Sequence, residues 1–438
     1  MYMKKACVIL LCVCVGVSIG GTFPAWGAEP EFKSLVYQLA IPEDMGTVED
    51  RWEGSSDKLF VLVQDAHVSL EVQLHIAHIV EYLLKTYNID LVNIEGADEG
   101  KINFQELREL EPRDVVEKVS VEFLKECRIN GAVYAKINSE KDFLEYGTED
   151  KSAYLENYKR YLAVIENSKE TLDYLVGVKD AMMKQKKNFL SPSLVEIVDV
   201  DLLFKDNDVS LVSYFKVILK YAKKLGIDLI DYPSVSQLIE VVLSADAENK
   251  FRNVDSEKLL DELMAINKKI KERLATSPRE KQFLELFDRI MLLRDILVLK
   301  VVPSDYMKYT KDPASYGSYA MTERIHALFP AYDTAPLMKL DGLLKSAKEF
   351  YERADERSRI IFHNSLANLK AENRTKAVIV SGGFHTEEIA ALCKENNISY
   401  VRIMPLVTND KETVDYTGRM LALKSELITD DIHQATKS

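Results

Sequence analysis

The sequence predicts an α/β protein: a parallel-type central sheet flanked by helices, with a large all-helical insertion between the two halves. Residues 58–150 and 345–415 alternate short β-branched runs with helical patterns, which is typical of parallel strands joined by crossover helices. Residues 151–344 carry helical patterns almost throughout. Hydrophobic residues make up 47% of the 438 residues, so the chain can bury a substantial core.

The first residues are typical of a secretory signal peptide covering residues 1–28. Lys4 and Lys5 precede an apolar run from Ala6 to Gly21, and small residues at 25–28 offer a cleavage site. The run is shorter than the roughly 20 residues of a membrane-spanning helix. We therefore expect cleavage and export to the periplasm or the medium, with no membrane span afterwards. An uncleaved N-terminal membrane anchor is the alternative.

The charge balance argues against nucleic acid as a partner. Asp and Glu number 70 against 57 Lys and Arg, and the formal net charge of −13 comes without a basic block. Of the cysteines, Cys127 and Cys393 lie beyond the signal peptide. The sequence leaves open whether these two pair or stay as free thiols.

The first half of the α/β domain, residues 29–150, contains three predicted strands. Leu59–Val63 is a continuous apolar run, which is typical of a strand buried on both faces. Apolar residues at helical spacing predict a helix over 70–84. The second strand covers Leu91–Ile94 and ends at Glu95, and the third covers Phe143–Tyr146 and ends at Gly147.

The helical insertion spans residues 151–344. Stripes of apolar residues at helical spacing predict helices over 258–274 and 283–296, and packing explains such stripes. Pro303 and the stretch 311–317 predict a loop.

The second half of the domain, residues 345–415, repeats the strand–turn–helix pattern. Ala377–Val380 is a predicted strand, Ser381–His385 a turn, and Thr386 a candidate N-cap for a helix reaching Glu395. Ser399–Ile403 is the last predicted strand, and residues 416–438 form a polar tail.

Polar side chains follow each of four predicted strands. In a parallel sheet ligands bind beyond the carboxyl ends of the strands, so these side chains are expected to converge. Imidazoles and carboxylates at one edge can hold a divalent metal, or can form a histidine general base supported by a carboxylate. The residues that follow the four strands, glycines included, are Gln64, Asp65 and His67, then Glu95, then Gly147, Glu149 and Asp150, and lastly Gly382, Gly383 and His385.

A second histidine pair lies on the helix after the first strand. His75 and His78 are three residues apart, with Glu71 nearby, and this spacing can hold a metal. We favour an ordinary packing or surface role, because the helix leads away from the strand ends.

These motifs resemble the superfamily that unites Tiki/TraB proteins, erythromycin esterases and ChaN-like haem-uptake proteins. The resemblance covers roughly 58–150 and 345–405 and implies His67, Glu95, Arg357 and His385 as the site. It rests on Gln64–His67, Glu95–Gly96, the arginine-containing segment 350–364 and Gly382–His385. In that segment, Arg353 and Arg359 are rivals of Arg357. Gln64 departs from the family pattern, which has glycine there.

The resemblance implies three activities among its members: metal-dependent proteolysis, metal-independent lactone hydrolysis through histidine, and haem binding. Our leading hypothesis is an exported metal-dependent hydrolase of the Tiki/TraB-like type, acting on a peptide or small-molecule ester. His67, Glu95, His385 and Asp65 would bind Mn, Co or Zn, and Arg357 would stabilise an oxyanion or a substrate carboxylate. The residues expected to support these groups are Gln64, Glu71, Gln73, Tyr146, Glu149, Asp150, Gly382, Gly383 and Asn364.

Three alternatives stay open at this point. A metal-independent esterase would use His67 as the base, with Glu95 orienting it and His385 stabilising charge. A ChaN-type protein would bind haem or another ligand without catalysis. A purely structural exported protein would have kept the fold and lost the chemistry.

Overall fold

The computed structural model describes residues 32–65, 69–205, 208–243, 256–301 and 303–407. Its strands form one seven-stranded sheet in the order β1-β7-β2-β6-β3-β5-β4. The five inner strands are mutually parallel, and β1 and β4 are antiparallel edge strands. The predicted α/β class is confirmed. The strands are β1 (Gly46–Trp52), β2 (Leu59–Asp65), β3 (Leu91–Asp98), β4 (Gly100–Lys101), β5 (Leu144–Glu149), β6 (Lys376–Gly382) and β7 (Ser399–Pro405).

The helices fall into three sequence blocks. The first block is α1 (Phe32–Gln38), α2 (Leu70–Tyr87), α3 (Gln105–Arg108), α4 (Arg113–Lys125) and α5 (Gly131–Asn138). The second is α6 (Lys151–Gln185), α7 (Pro192–Lys205), α8 (Leu211–Lys224), α9 (Pro233–Leu243), α10 (Ser256–Leu274), α11 (Pro278–Leu297), α12 (Pro303–Lys311) and α13 (Ser318–Leu328). The third is α14 (Leu340–Ala371) and α15 (Gly383–Glu395).

The described chain divides into two compact units. One is helical and comprises Ala163–Tyr351, and the other is the α/β unit, formed by residues 32–162 together with 352–407. Both divisions fall inside long helices, α6 and α14, rather than at the predicted limits of the insertion at 151 and 344.

The core of the α/β unit lies on both faces of β2. Val61 and Val63 belong to a buried cluster with residues of α2 and α5. Phe60 and Leu62 belong to a second cluster, with Ile361 of α14 and residues of α15. This two-sided burial explains why the β2 sequence is apolar without interruption.

The helical unit has a core of its own. Its buried cluster comprises Ile197, Val200, Phe204, Leu211, Tyr214, Phe215, Ile218, Tyr221, Ala222, Ile227, Tyr232, Val235, Leu238, Leu259, Leu260, Leu263, Ile266 and Ile270. The apolar stripe predicted over 258–274 forms part of this core, as α10. The predicted loop at Pro303 is wrong, because α12 begins at that residue. Proline suits the first helical turn, where no backbone N–H is required.

Other local predictions differ from the structure at element ends. Helix α15 begins at Gly383 rather than after Thr386, whose hydroxyl instead lies against the carbonyls of Ser381 and Gly382. Strands β3 and β5 continue to Asp98 and Glu149, beyond their predicted ends. Strands β1 and β4 were not predicted.

Two further findings concern thiols and membranes. Cys127 and Cys393 are not joined by a disulfide, the pairing that the sequence left open. Among the described helices, none combines the length and the apolar character needed to cross a membrane.

Candidate functional site

The carboxyl ends of four adjacent strands meet at one edge of the sheet. Asp65 at the end of β2 pairs with Gly382 at the end of β6. Ile94 of β3 pairs with Val380 of β6 on one side and with Gly147 of β5 on the other. The polar residues after these positions therefore lie along a single edge, as the strand-end argument predicts.

Three nitrogen atoms lie close to the carboxylate of Glu95. Its Oε1 lies 3.1 Å from Nη2 of Arg357 and 3.2 Å from Nε2 of His385. Its Oε2 accepts the backbone N–H of Gly382 at 2.6 Å. The Glu95 side chain is only 10% exposed, so these donors replace most of the water that a carboxylate needs.

Arg357 joins Glu95 to a second carboxylate. Its Nε donates to Oε2 of Glu149 at 3.2 Å, and its Nη2 contacts Oε1 of Glu149 as well as Glu95. The guanidinium lies 5.0 Å from the centre of the Tyr154 ring. Arg357 is buried, and its role as an oxyanion or substrate ligand stays a prediction. The guanidinium fixes two neighbouring carboxylates.

Burial and charge act in opposite directions on this cluster. Burial disfavours the charged guanidinium of Arg357, but the hydrogen bonds that Arg357 donates to Glu149 and the charges of Glu95 and Glu149 outweigh burial and raise the pKa of Arg357. Burial also raises the pKa of the Tyr154 hydroxyl, although the charge of Arg357 opposes this. Nearby, burial raises the pKa of Asp355 against the lowering effect of Arg359 and His385. Arg357 thus stays cationic and Tyr154 neutral in the physiological range.

Each ring nitrogen of His385 has an oxygen atom close to it. Nε2 lies 3.2 Å from Glu95, and Nδ1 lies 2.8 Å from Oγ of Ser358 on α14. The residue follows β6 in the first turn of α15 and is 5% exposed. The ring is therefore held in place on both sides.

Gln73 of α2 holds the side chain of Asp65 in place. The Gln73 amide donates to Asp65, and its carbonyl oxygen accepts the backbone N–H of Gly131 at 2.6 Å. Asp65 and Gln73 are both buried. Gln73 thus ties the end of β2 to the start of α5.

The side chain of Gln64 packs against Gly383. A Cβ atom on Gly383 would collide with the Gln64 side-chain amide. The Gln64 amide fills the space that a side chain at position 383 would occupy.

Several other predicted residues lie near the site but make different contacts. Asn364 donates to the backbone carbonyl of Thr148 at 3.2 Å. Asp150 is exposed and bonds Ser152 and the Ala153 N–H at the start of α6. Tyr146 bonds Glu372 instead of any site residue.

On α2, Glu71 lies in the first turn. His75 contacts the backbone carbonyl of Leu406 at 2.8 Å and His78 is exposed, so neither meets the Glu95 cluster. His67 lies outside the described residues.

Ser358 and Tyr154 were missed in the sequence. Ser358 is a polar residue on the apolar side of α14, between Ala354 and the buried pair Ile361 and Phe362. A serine among apolar residues at helical spacing was the signal that the sequence offered. Tyr154 gave no comparable signal, since it is one tyrosine among several in α6.

Comparison of the chain with protein-family models, with curated proteins and with solved structures gave no match. The resemblance to the Tiki/TraB, erythromycin esterase and ChaN superfamily stays a prediction.

A divalent cation in a protein is bound by several His, Cys, Asp or Glu side chains. Among the described residues no group of three or more His, Cys, Asp or Glu side chains is arranged to hold a metal ion. Both oxygens of Glu95 already accept N–H donors, and Arg357 places a positive charge 3.1 Å from Oε1. A dication at that carboxylate would face repulsion from the guanidinium. The described side chains do not fit the predicted Mn, Co or Zn site, which stays a prediction because His67 is not among them.

Proposed function

We propose that the chain is an exported hydrolase that activates water with a histidine supported by a buried carboxylate. The observation that carries this proposal is the binding of Glu95 by Arg357, His385 and the Gly382 N–H at the carboxyl edge of the sheet. A carboxylate that accepts hydrogen bonds from an arginine and from a backbone N–H is poorly suited to act as the base itself. It is well suited to orient a neighbouring imidazole and to stabilise its charge.

His67 is the imidazole assigned to this role. In sequence it follows Asp65, the last residue of β2, by two positions, and β2 lies beside β6, which carries Gly382. His67 would accept a proton from water while the water oxygen attacks the substrate carbonyl carbon. The resulting tetrahedral oxyanion would collapse, and the leaving alkoxide or amine would take the proton back from His67.

Arg357 and Glu149 act in this proposal through Glu95. Neither would touch the substrate, and both would fix the position and charge of the carboxylate. The substrate class is an ester or amide in a small molecule or peptide. The signal-like sequence of residues 1–28 supports the exported part of the proposal.

A chromogenic ester and peptide panel tests the proposal on the purified mature chain. We expect hydrolysis that survives chelation, a loss of at least about 100-fold in kcat/KM for His67→Ala, and no change for His363→Ala. His363 is an exposed histidine of α14 and serves as the matched control.

Three outcomes would contradict the proposal. Full activity of His67→Ala would show that His67 is not the general base. Loss of activity on chelation, restored by manganese or zinc, would favour the metal-dependent hydrolase. A Soret band on titration with haem, without hydrolysis of any substrate, would favour a ChaN-type binding protein.

A further inference from the structure

Ser358 presents a hydroxyl to His385 from inside the packed face of α14. The residue has no exposed surface, and its Oγ lies 2.8 Å from Nδ1 of His385 and 3.0 Å from the carbonyl oxygen of Ala354. A side chain so buried cannot attack a substrate. Its hydroxyl can still decide which ring nitrogen of His385 carries the proton.

The contacts of His385 favour one tautomer of its neutral ring. If Nδ1 carried the proton, the lone pair of Nε2 would face Oε1 of Glu95 at 3.2 Å, and two acceptors would be in contact. If Nε2 carries it, Nε2–H donates to Glu95 and the Ser358 hydroxyl donates to Nδ1. Both contacts of the ring then hold a proton, and the contact left without one, between the Ser358 hydroxyl oxygen and the Ala354 carbonyl oxygen at 3.0 Å, involves no ionised group.

The Ala354 carbonyl extends this arrangement to the doubly protonated ring. The Ser358 hydroxyl can rotate to donate to Ala354, and its oxygen then accepts from Nδ1–H. In both cases a proton on Nε2 lies beside Oε1 of Glu95, with the two heavy atoms 3.2 Å apart. Ser358 accordingly suits either charge of the ring without releasing Glu95.

We propose that Ser358 is a positioning residue that keeps Nε2 of His385 protonated and directed at Glu95. Its link to catalysis rests on the hydrolase proposed above, where Glu95 must stay an ionised and immobile carboxylate. Without the Oγ atom, Nδ1 becomes a buried ring nitrogen with no partner at that position, and the ring loses one of its two anchors.

The state of the His385 ring can be read directly by NMR, independently of any enzymatic activity. The full chain is labelled with ¹⁵N-histidine, and the His385 ring signals are identified by their loss in His385→Gln. In the wild type we expect a protonated Nε2, an unprotonated Nδ1 in the neutral ring, and an Nε2–H signal protected from exchange with water.

The Ser358 variants then test the serine itself. In Ser358→Ala we expect the Nε2–H signal to broaden or disappear and the Nδ1 signal to shift. Ser358→Thr, which keeps the hydroxyl, should restore both signals. A wild-type ring protonated only at Nδ1, or identical His385 signals in Ser358→Ala, would overturn the proposal. Should a variant fail to fold, the wild-type tautomer alone decides. A hydrolase assay that fails leaves this measurement intact, so the two proposals can fail separately.

Discussion

Glu145 of β5 has a buried carboxyl group that no hydrogen bond supports. It is fully buried, it pairs through the backbone with Val92, and both side-chain oxygens lack a hydrogen-bond partner. Burial raises the pKa of the Glu145 carboxyl to about 8, against the lowering effect of the Lys136 charge. The folded protein therefore keeps this group protonated at pH values where the unfolded chain releases the proton.

This shift predicts a stability that falls with pH. Between the ordinary pKa of 4.5 and about 8 the native state binds one more proton than the unfolded state, so the free energy of unfolding decreases as the pH rises through that window. The Glu145→Gln side chain cannot ionise. Between about pH 5 and about pH 8 we therefore expect its free energy of unfolding to fall less than that of the wild type, by a margin on the order of a few kcal/mol. Denaturant unfolding at about pH 5 and about pH 8 measures this, with the exposed Glu106→Gln as control. An equal change in the free energy of unfolding between the two pH values, for the wild type and for Glu145→Gln, would contradict this prediction.

The ion pair of Arg357 with Glu149 is buried, and its loss is expected to be costly. Glu149→Gln removes one charge partner and leaves the guanidinium with less compensation, so we expect destabilisation by about 3–5 kcal/mol. The exposed pair of Lys118 and Asp114 is the matched control, since Asp114→Asn should change stability by less than about 1 kcal/mol. Equal effects of the two substitutions would argue against the buried pair.

At the scale of elements, α2 and α5 approach closely at Gly131. A Cβ atom on Gly131 would collide with the backbone carbonyl oxygen of Gln73 and press on Ile76. The same Gln73 supports Asp65 through its side chain. The contact therefore couples helix packing to the end of β2.

This contact predicts opposite effects of alanine at two helical glycines. Gly131→Ala should destabilise the protein by about 1–3 kcal/mol or more, because neither backbone can yield easily. Gly177→Ala in α6 meets no atom within 4 Å and should stabilise by about 0.5–1 kcal/mol through helix propensity. Thermal unfolding of both variants measures the difference, and a neutral Gly131→Ala would refute the close approach.

The sequence predicts elements whose pattern comes from burial. The continuous apolar runs of β2 and β6 reflect two-sided packing, and both strands are found where expected. Strand β1 was not predicted, because this half-buried edge strand carries charged residues such as Asp50 and Arg51. Strand β4 has two residues, too few for any pattern.

At the scale of the whole molecule, the site joins residues that are distant in the chain. The strand-end rule predicts that Glu95 and His385 meet, because both follow strands of one parallel sheet. It does not predict which groups pair. Binding of Arg357 to Glu149, and of Ser358 to His385, depends on how α14 is rotated against the sheet, which local patterns do not encode.

A double-mutant cycle between Glu95 and Arg357 tests most directly whether this shared site exists. The two residues are 262 positions apart, and their side chains lie 3.1 Å apart in the structure. Denaturant unfolding of the wild type, Glu95→Gln, Arg357→Met and the double variant gives their coupling energy. We predict a coupling of about 1–3 kcal/mol, because each single substitution leaves a buried charge without one partner. Strictly additive effects would show that the two side chains do not interact and would contradict the proposed site.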